Sequence, residues 1–138
     1  MITLRLPYPV SANRYWRKVA VRNMPHSAKL VLSHEAKMYR YNVGWLAKAQ
    51  GLHGPADGPL SVSVQVLPKT TKNGAASGQI LDLDNAWKVA SDALQGVAYD
   101  NDRQVKRLLL EYGDPTYDGG LLVRIGEFEK DAEQKFAR

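Results

Sequence analysis

The chain of 138 residues contains no cysteine. Disulfides, thiolate zinc sites and cysteine nucleophiles are thereby excluded, and the core has to be held by burial alone. Histidine is nearly as sparse: His26, His34 and His53 are scattered. His34-Glu35 lacks the second histidine one helical turn later that a zinc-protease helix carries. Any metal is therefore expected on oxygen ligands. There is neither a run of about eighteen apolar residues nor a charged, apolar and small-residue leader, so no membrane span or secretory signal is expected and a cytoplasmic location is the default. Acid is scarce in one half. Residues 1–81 carry eleven Lys and Arg against only Glu35 and Asp57, whereas residues 82–138 carry eight against twelve acids, within a net charge of +5. A polyanion-binding surface beside an acidic, cation-holding cluster has this signature, although a merely solvated surface remains open.

What is present suffices for one hydrophobic core and is too short for two, so a single domain over residues 1–138 is expected. Ile2 to Leu6 alternates apolar and polar before Pro7 and Pro9, a first strand ending abruptly. A loop rich in Arg14, Arg17, Lys18 and Arg22, with Tyr15 and Trp16 among them, follows. Ser33 is a fitting N-cap for a helix to about Ala49, with Ala36, Tyr39, Val43, Leu46 and Ala47 on its inner face. Leu60, Val62, Val64 and Val66 alternate with polar residues, the clearest half-buried strand in the chain. Pro68 to Gln79 reads as a mobile basic loop, and Asn85 to Leu94 as a helix stopped by Gly96. Gln104 to Tyr112 and Leu121 to Phe128 read as two strands of a hairpin with a long turn, before a charged tail over about 129–138. The order strand, helix, strand, helix, strand, strand predicts a small mixed sheet of α/β (α+β) type with two main helices.

The chemistry concentrates in Leu81-Asp82-Leu83-Asp84-Asn85-Ala86-Trp87-Lys88, followed by Asp100-Asn101-Asp102-Arg103-Gln104. Magnesium prefers hard oxygen ligands and is usually anchored by one or two carboxylates plus phosphate oxygens. In an extended backbone Asp82 and Asp84 would point to one side, and Asp102 or Asp100 would close the cluster from another segment. Lys88, four residues after Asp84, is placed to pair with a ligating carboxylate or to stabilise charge on a phosphate. A competing structural role is ordinary: Asp84 as N-cap, Asp84 and Lys88 as an exposed pair, and Asp100 and Asp102 in a solvated turn. Arg14, Arg17, Arg22, Lys69, Lys72 and Arg103 would contact phosphates, with Tyr15 or Trp16 stacking on unpaired bases, or both rings packing on the core while the charged side chains around them reach solvent.

These residues resemble the RusA family of Holliday junction resolvases. The resemblance runs over roughly residues 4–125 in three blocks. The first is Leu6-Pro7-Tyr8-Pro9 with Ser11 and Asn13-Arg14-Tyr15. The second is Ser33, Glu35, Tyr39-Arg40 and Asn42-Val43. The third is Asp82-Leu83-Asp84-Asn85 with Lys88 and Asp92-Ala93-Leu94, then Asp102 with Gln104-Val105. Such a resemblance implies catalytic, metal-holding aspartates at Asp82, Asp84 and Asp102 and a functional lysine at Lys88. It further implies a homodimer, bacterial or prophage-encoded and nucleoid-associated, that nicks four-way DNA junctions in pairs during recombination and repair. Magnesium, or manganese in its place, is the implied cofactor, with no organic cofactor. Two departures stand out: Asp100-Asn101-Asp102 sets its second acid one position from the family's usual Asp-Asp, and Leu81 stands where an arginine can precede the first aspartate. A junction-binding architectural protein without cleavage, and a metal nuclease acting on other branched DNA, are the alternatives.

Overall fold

Strand β1 (Ile2–Leu6) begins a computed structural model that describes residues 1–71 and 80–129. Its alternation puts Leu4 and Leu6 into the core while Thr3 and Arg5 face outward, and Pro7 ends it as expected. A single turn, α1 (Ala12–Tyr15), leads directly into β2 (Trp16–Val21), which pairs antiparallel with β3 (Met24–Leu32). The segment read as a basic loop is therefore half of a two-stranded hairpin. Its register runs from Trp16 opposite Leu32 to Val21 opposite Met24, with a bulge between Ala20 and Val21. Exposed and half-buried residues mix along β2, so no apolar face announces the strand.

Helix α2 (His34–Ala49) starts where the cap predicts, the Ala36 N–H donating to Ser33 Oγ at 3.1 Å. It buries Ala36, Tyr39, Val43 and Ala47, while Leu46, expected inside, is 38% exposed. Strand β4 (Leu60–Leu67) then places Leu60, Val62, Val64 and Val66 in the core. Helix α3 (Leu83–Leu94) starts two residues earlier than expected and buries Ala86, Val89, Ala90, Ser91, Ala93 and Leu94. Alanines at three of these positions let the helix lie close to its neighbours.

Strands β5 (Val105–Tyr112) and β6 (Gly120–Glu127) do not form the expected hairpin. The sheet order is β1-β6-β4-β5, so β4 separates them, parallel to β5 and antiparallel to β6. β4, α3 and β5 thus form a β-α-β crossover, which the parallel pairing requires because two parallel strands cannot be joined by a tight turn. The return from β5 to β6 passes through Gly120, whose φ of 150° and position, with a built Cβ only 2.8 Å from the Leu6 carbonyl oxygen, admit only glycine. The two long helices and the sheet close over one core containing Leu4, Leu6, Val43, Val64, Leu94, Leu121 and Val123.

The mixed α+β class and the succession of main elements are as the sequence predicts. No helix among the described residues is long and apolar enough to cross a membrane. Most of the predicted basic loop, and the charged tail from residue 130 onward, lie outside the described residues. The start of that loop is tied down, Thr70 donating to the Thr116 carbonyl at 2.8 Å and Thr116 to that of Pro68 at 2.8 Å.

Candidate active site

The acidic motif is held from its preceding residue. The Leu81 N–H donates to Tyr8 Oη at 2.9 Å, and the Tyr112 hydroxyl donates to the Leu81 carbonyl at 2.8 Å. Two aromatic side chains from opposite ends of the sheet sequence thereby fix the backbone where α3 begins. Asp82 is the N-cap residue by position, with φ −60° and ψ 148°, yet its side chain makes no capping hydrogen bond. Asp84 lies inside the first turn of α3 and is not the cap. Both carboxylates are exposed. The extended geometry expected to align them is replaced by a helix start, where acidic groups are favoured by the exposed N–H groups and the helix dipole. Neither structural role suggested for Asp84 is realised, since among the described residues Asp84 and Lys88 form no salt bridge and no hydrogen bond engages the side chains of Asp82, Asp84, Lys88 or Asp102, whereas Asp100 and Asp102 do lie exposed in a turn.

Asp102 is presented by a second device. It opens a short 3-10 turn (Asp102–Gln104), preceded by Asn101, whose Oδ1 accepts from the Arg103 N–H at 2.8 Å. Gln104 Oε1 accepts from the N–H groups of Asp100 and Asn101, each at 3.0 Å. Its Nε2 donates to the carbonyls of Ala56 and Gly58 at 2.9 and 3.0 Å. One amide side chain thus fastens the whole acidic turn to the loop before β4. Asp100 is exposed in the same turn.

Between α3 and this turn lies a cleft of about 330 Å³ whose walls include Trp16, Trp87, Lys88, Asp92 and Asp102. The Tyr15 hydroxyl donates to Asp92 Oδ2 beneath it, and Arg40 Nε approaches the same oxygen at 3.8 Å. The fully buried Tyr99 donates its hydroxyl to the Ser91 carbonyl at 3.0 Å and shares a 2.9 Å contact with Ser91 Oγ. Burial pushes the Tyr99 phenol up to about 12, and the negative charges of Asp102 and Asp92 add to the shift.

The basic residues divide. Arg14 and Lys69 line a cavity of about 400 Å³ with Tyr8, Ser11, Glu35 and Leu81, and an adjoining cavity of about 180 Å³ carries Ser11, Asn13, Leu81, Asp82 and Asn85. A cationic groove therefore leads to Asp82. Arg17 and Arg22 are exposed on the hairpin, and Arg103 is exposed in the 3-10 turn. Lys72 lies outside the described residues. The stacking role expected of Tyr15 is corrected: its ring is only 3% exposed and belongs to the core, whereas Trp16 is 47% exposed.

The model of a family described as endodeoxyribonuclease RusA matches residues 7–126. This chain belongs to the RusA endodeoxyribonuclease family. The match spans the cationic groove, α3, the Gln104-held turn and the cleft between them, so the RusA region contains every described site residue named above. No curated protein matches the chain.

The donor set of this RusA-family chain is all oxygen, chemically suited to magnesium. Among the described residues, however, no three His, Asp or Glu side chains gather into one metal-holding group. Asp82 opens on one cavity and Asp102 on another. The fit is therefore to an ion anchored by one or two carboxylates and completed by water and phosphate oxygen.

Sequence reasoning assigned no role to Trp87 and gave Asp92 and Gln104 only as matches to the RusA pattern. The signal available for Asp92 was its position four residues after Lys88, on the same helical face. Burial pushes the Asp92 carboxyl above its ordinary value of 3.8, outweighing Arg40, whose guanidinium is 42% exposed and screened. A raised folded-state value contributes stability that is full below the ordinary value and is lost as pH rises through the raised one. Asp92→Asn keeps an acceptor for Tyr15 and removes that titration. Its stability relative to the wild type should accordingly improve as pH rises from about 3 to about 7, in urea unfolding at a series of pH values. A difference independent of pH would contradict the assigned burial effect.

Proposed function

We propose that this RusA-family endodeoxyribonuclease is a magnesium-dependent enzyme that works as a homodimer on four-way DNA junctions and nicks them in pairs, in recombination and repair. The observation that carries the reading is the set Asp82, Asp84, Lys88 and Asp102: four exposed charged groups whose side chains make no hydrogen bond or salt bridge among the described residues, on two rigidly fastened elements, with a cationic groove leading to Asp82. Two related strands of a junction are most simply cut by two sites related by a twofold axis.

Asp82 and Asp84 would hold the ion at the start of α3, with water and phosphate oxygen completing its shell, while Asp102 would act from the neighbouring cleft that it shares with Lys88. The chemistry supplied by bound magnesium, or by manganese in its place, is polarisation of the scissile phosphate and activation of a water. Lys88, one turn along α3 from Asp84, stabilises negative charge growing on the phosphate or the leaving oxygen. Arg14 and Lys69 hold the flanking phosphates in the groove, and Arg17, Arg22 and Arg103 add backbone attraction from the hairpin and the turn.

The reading is tested by cleavage of a labelled four-way junction beside linear duplex and flap controls, in magnesium and in EDTA. Paired nicks confined to the junction and dependent on the metal support it. Tight binding without products in any divalent metal would leave an architectural protein, and equal cutting of flaps would leave a less selective nuclease. Sedimentation showing only monomer with junction bound would remove the homodimer.

Arg14→Ala isolates the phosphate track. Because a phosphate contact carries no sequence information, binding should weaken evenly across junction sequences, and the slope of log K against log salt should flatten by about one. Single-turnover cleavage at saturating protein should be nearly unchanged. A large loss of the saturated rate would instead put Arg14 against the reacting phosphate.

A further inference from the structure

The cleft between α3 and the 3-10 turn has features that phosphate binding does not explain. Its two indoles, Trp16 from the start of β2 and Trp87 from α3, face the same space of about 330 Å³ as Lys88 and Asp102. That space belongs to a small flat group and not to a duplex groove. Trp16 is 47% exposed, which leaves apolar ring surface at this cleft for a ligand to cover. Its one ring contact is edge-type, with Tyr15 at 5.2 Å and 77°. Among the described residues no ring is stacked flat on Trp16, and Trp87 takes part in no aromatic pair.

The placement of Trp16 is built, not incidental. Tyr15 is buried and its hydroxyl is held by Asp92, so the residue immediately before Trp16 is locked to α3. On its other side Trp16 is paired across the hairpin with Leu32, and the Ser33 N–H donates to the Tyr15 carbonyl at 2.9 Å. A side chain ordered on both flanks, yet left half open beside Lys88 and Asp102, whose side chains make no hydrogen bond or salt bridge among the described residues, is pre-organised to receive a ligand at low entropic cost. The rim offers the Lys88 ammonium as donor and the Asp102 carboxylate as acceptor, together with the Gln95 amide. A planar heterocycle with donors and acceptors on its edge satisfies both kinds of wall.

We infer that this cleft is a base pocket: it receives one unstacked nucleobase of the DNA substrate, clamped against Trp16 and Trp87, beside the phosphate that Lys88 faces. The inference rests on the branched-DNA reading of the same site and deepens it. A junction offers bases at its crossover that are cheaper to unstack than those of a continuous duplex, so the pocket would contribute to structure selectivity without reading sequence. It also gives the hairpin a function. β2 and β3 carry Trp16 to the mouth of the cleft.

The test uses a four-way junction with 2-aminopurine beside the crossover, a matched junction with an abasic residue there, and full-length protein in EDTA so that binding is read without cleavage. Wild-type protein should change the 2-aminopurine emission on saturation and bind the abasic junction more weakly. Trp16→Ala should abolish the emission change and weaken binding to the intact junction about five- to a hundredfold, the range found for loss of one base stack. It should leave abasic-junction binding almost unaffected, because the partner of the indole is already missing. Trp16→Phe should restore most of both signals. Circular dichroism that matches the wild type confirms that the hairpin change has not unfolded the chain, and a Trp87→Phe variant with an emission change smaller than wild type gives independent support. An unchanged emission signal in Trp16→Ala would overturn the inference, as would an equal loss of affinity for intact and abasic junctions, which marks a role of Trp16 elsewhere. Failure of the wild type to bind or cut any branched DNA would instead bring down the reading beneath it.

Discussion

Asp84→Asn should abolish junction cleavage while leaving junction binding intact or tighter. The substitution keeps the size and helix position of the side chain and removes one negative charge. The carboxylate makes no internal hydrogen bond or salt bridge among the described residues, so little folding energy is at stake. What is lost is a hard oxygen ligand beside the approaching phosphate. Loss of one electrostatic stabiliser at a phosphoryl centre typically costs about a hundred- to a thousandfold in rate, and loss of an ion-holding carboxylate belongs at or beyond the upper end. Binding moves the other way, because the removed charge repelled the DNA backbone, and the gain should shrink at high salt. Single-turnover cleavage with gel-shift affinities at two salt concentrations measures both. Wild-type cutting by this variant would show that Asp84 holds no ion and would leave Asp82 and Asp102 to account for the chemistry.

The residues behind that prediction were legible in the sequence for a chemical reason: a close spacing of hard acids and an amine can be read without knowing the fold. Their arrangement could not. The argument from extended backbone put Asp82 and Asp84 on one side of a strand end, but the helix begins at Leu83, so the two carboxylates are set by helix-start geometry. The difference of two residues is within the ordinary fraying of helix ends, yet it decides the orientation of a ligand. The long helices and β4 were readable because each has one apolar face against the core. β2 and β3 were not, because their hairpin pairs with itself outside the main sheet. Nothing in the pattern of Val19, Val21 and Val31 distinguishes such a hairpin from a loop with scattered valines. The pairing of β5 with β4 instead of β6 was also hidden, since sequence neighbours are adjacent often enough to make a hairpin the natural expectation. The clue was present in the β4, α3, β5 succession, whose helical connection permits a parallel pair.

The same topology explains how the second acidic segment comes to lie beside the helix that starts at the first. Because β5 runs parallel to β4, the chain must travel the length of α3 and return to the N-terminal end of β5, which brings the turn carrying Asp102 back beside α3. Tyr99, buried at the end of that return, joins the two through Ser91. The sheet therefore fixes the coarse position of the turn. Its fine position depends on Gln104.

Gln104→Ala should be the most damaging single change in the turn. The side chain satisfies two N–H groups and two carbonyls belonging to two short segments, and alanine reproduces none of those contacts. Several of the freed groups are near solvent, so water will recover part of the loss. A net cost of about 1–3 kcal/mol is expected from hydrogen-bond replacement. Activity should fall further than stability alone accounts for, because the loosened turn carries Asp102 and a displacement of about 1 Å at a reacting centre can cost about a hundredfold. Junction affinity should change little, since Gln104 itself faces the loop before β4 and Arg103 stays exposed. Gln104→Glu separates the two functions of the amide: it keeps the Oε1 acceptor for Asp100 and Asn101 and loses the donor to Ala56 and Gly58. An intermediate cleavage rate for that variant, measured with unfolding curves for both, is the outcome that a fastening role requires. Equal and complete rescue by glutamate would assign the turn's position to its own backbone, with the anchor to the 56–58 loop dispensable.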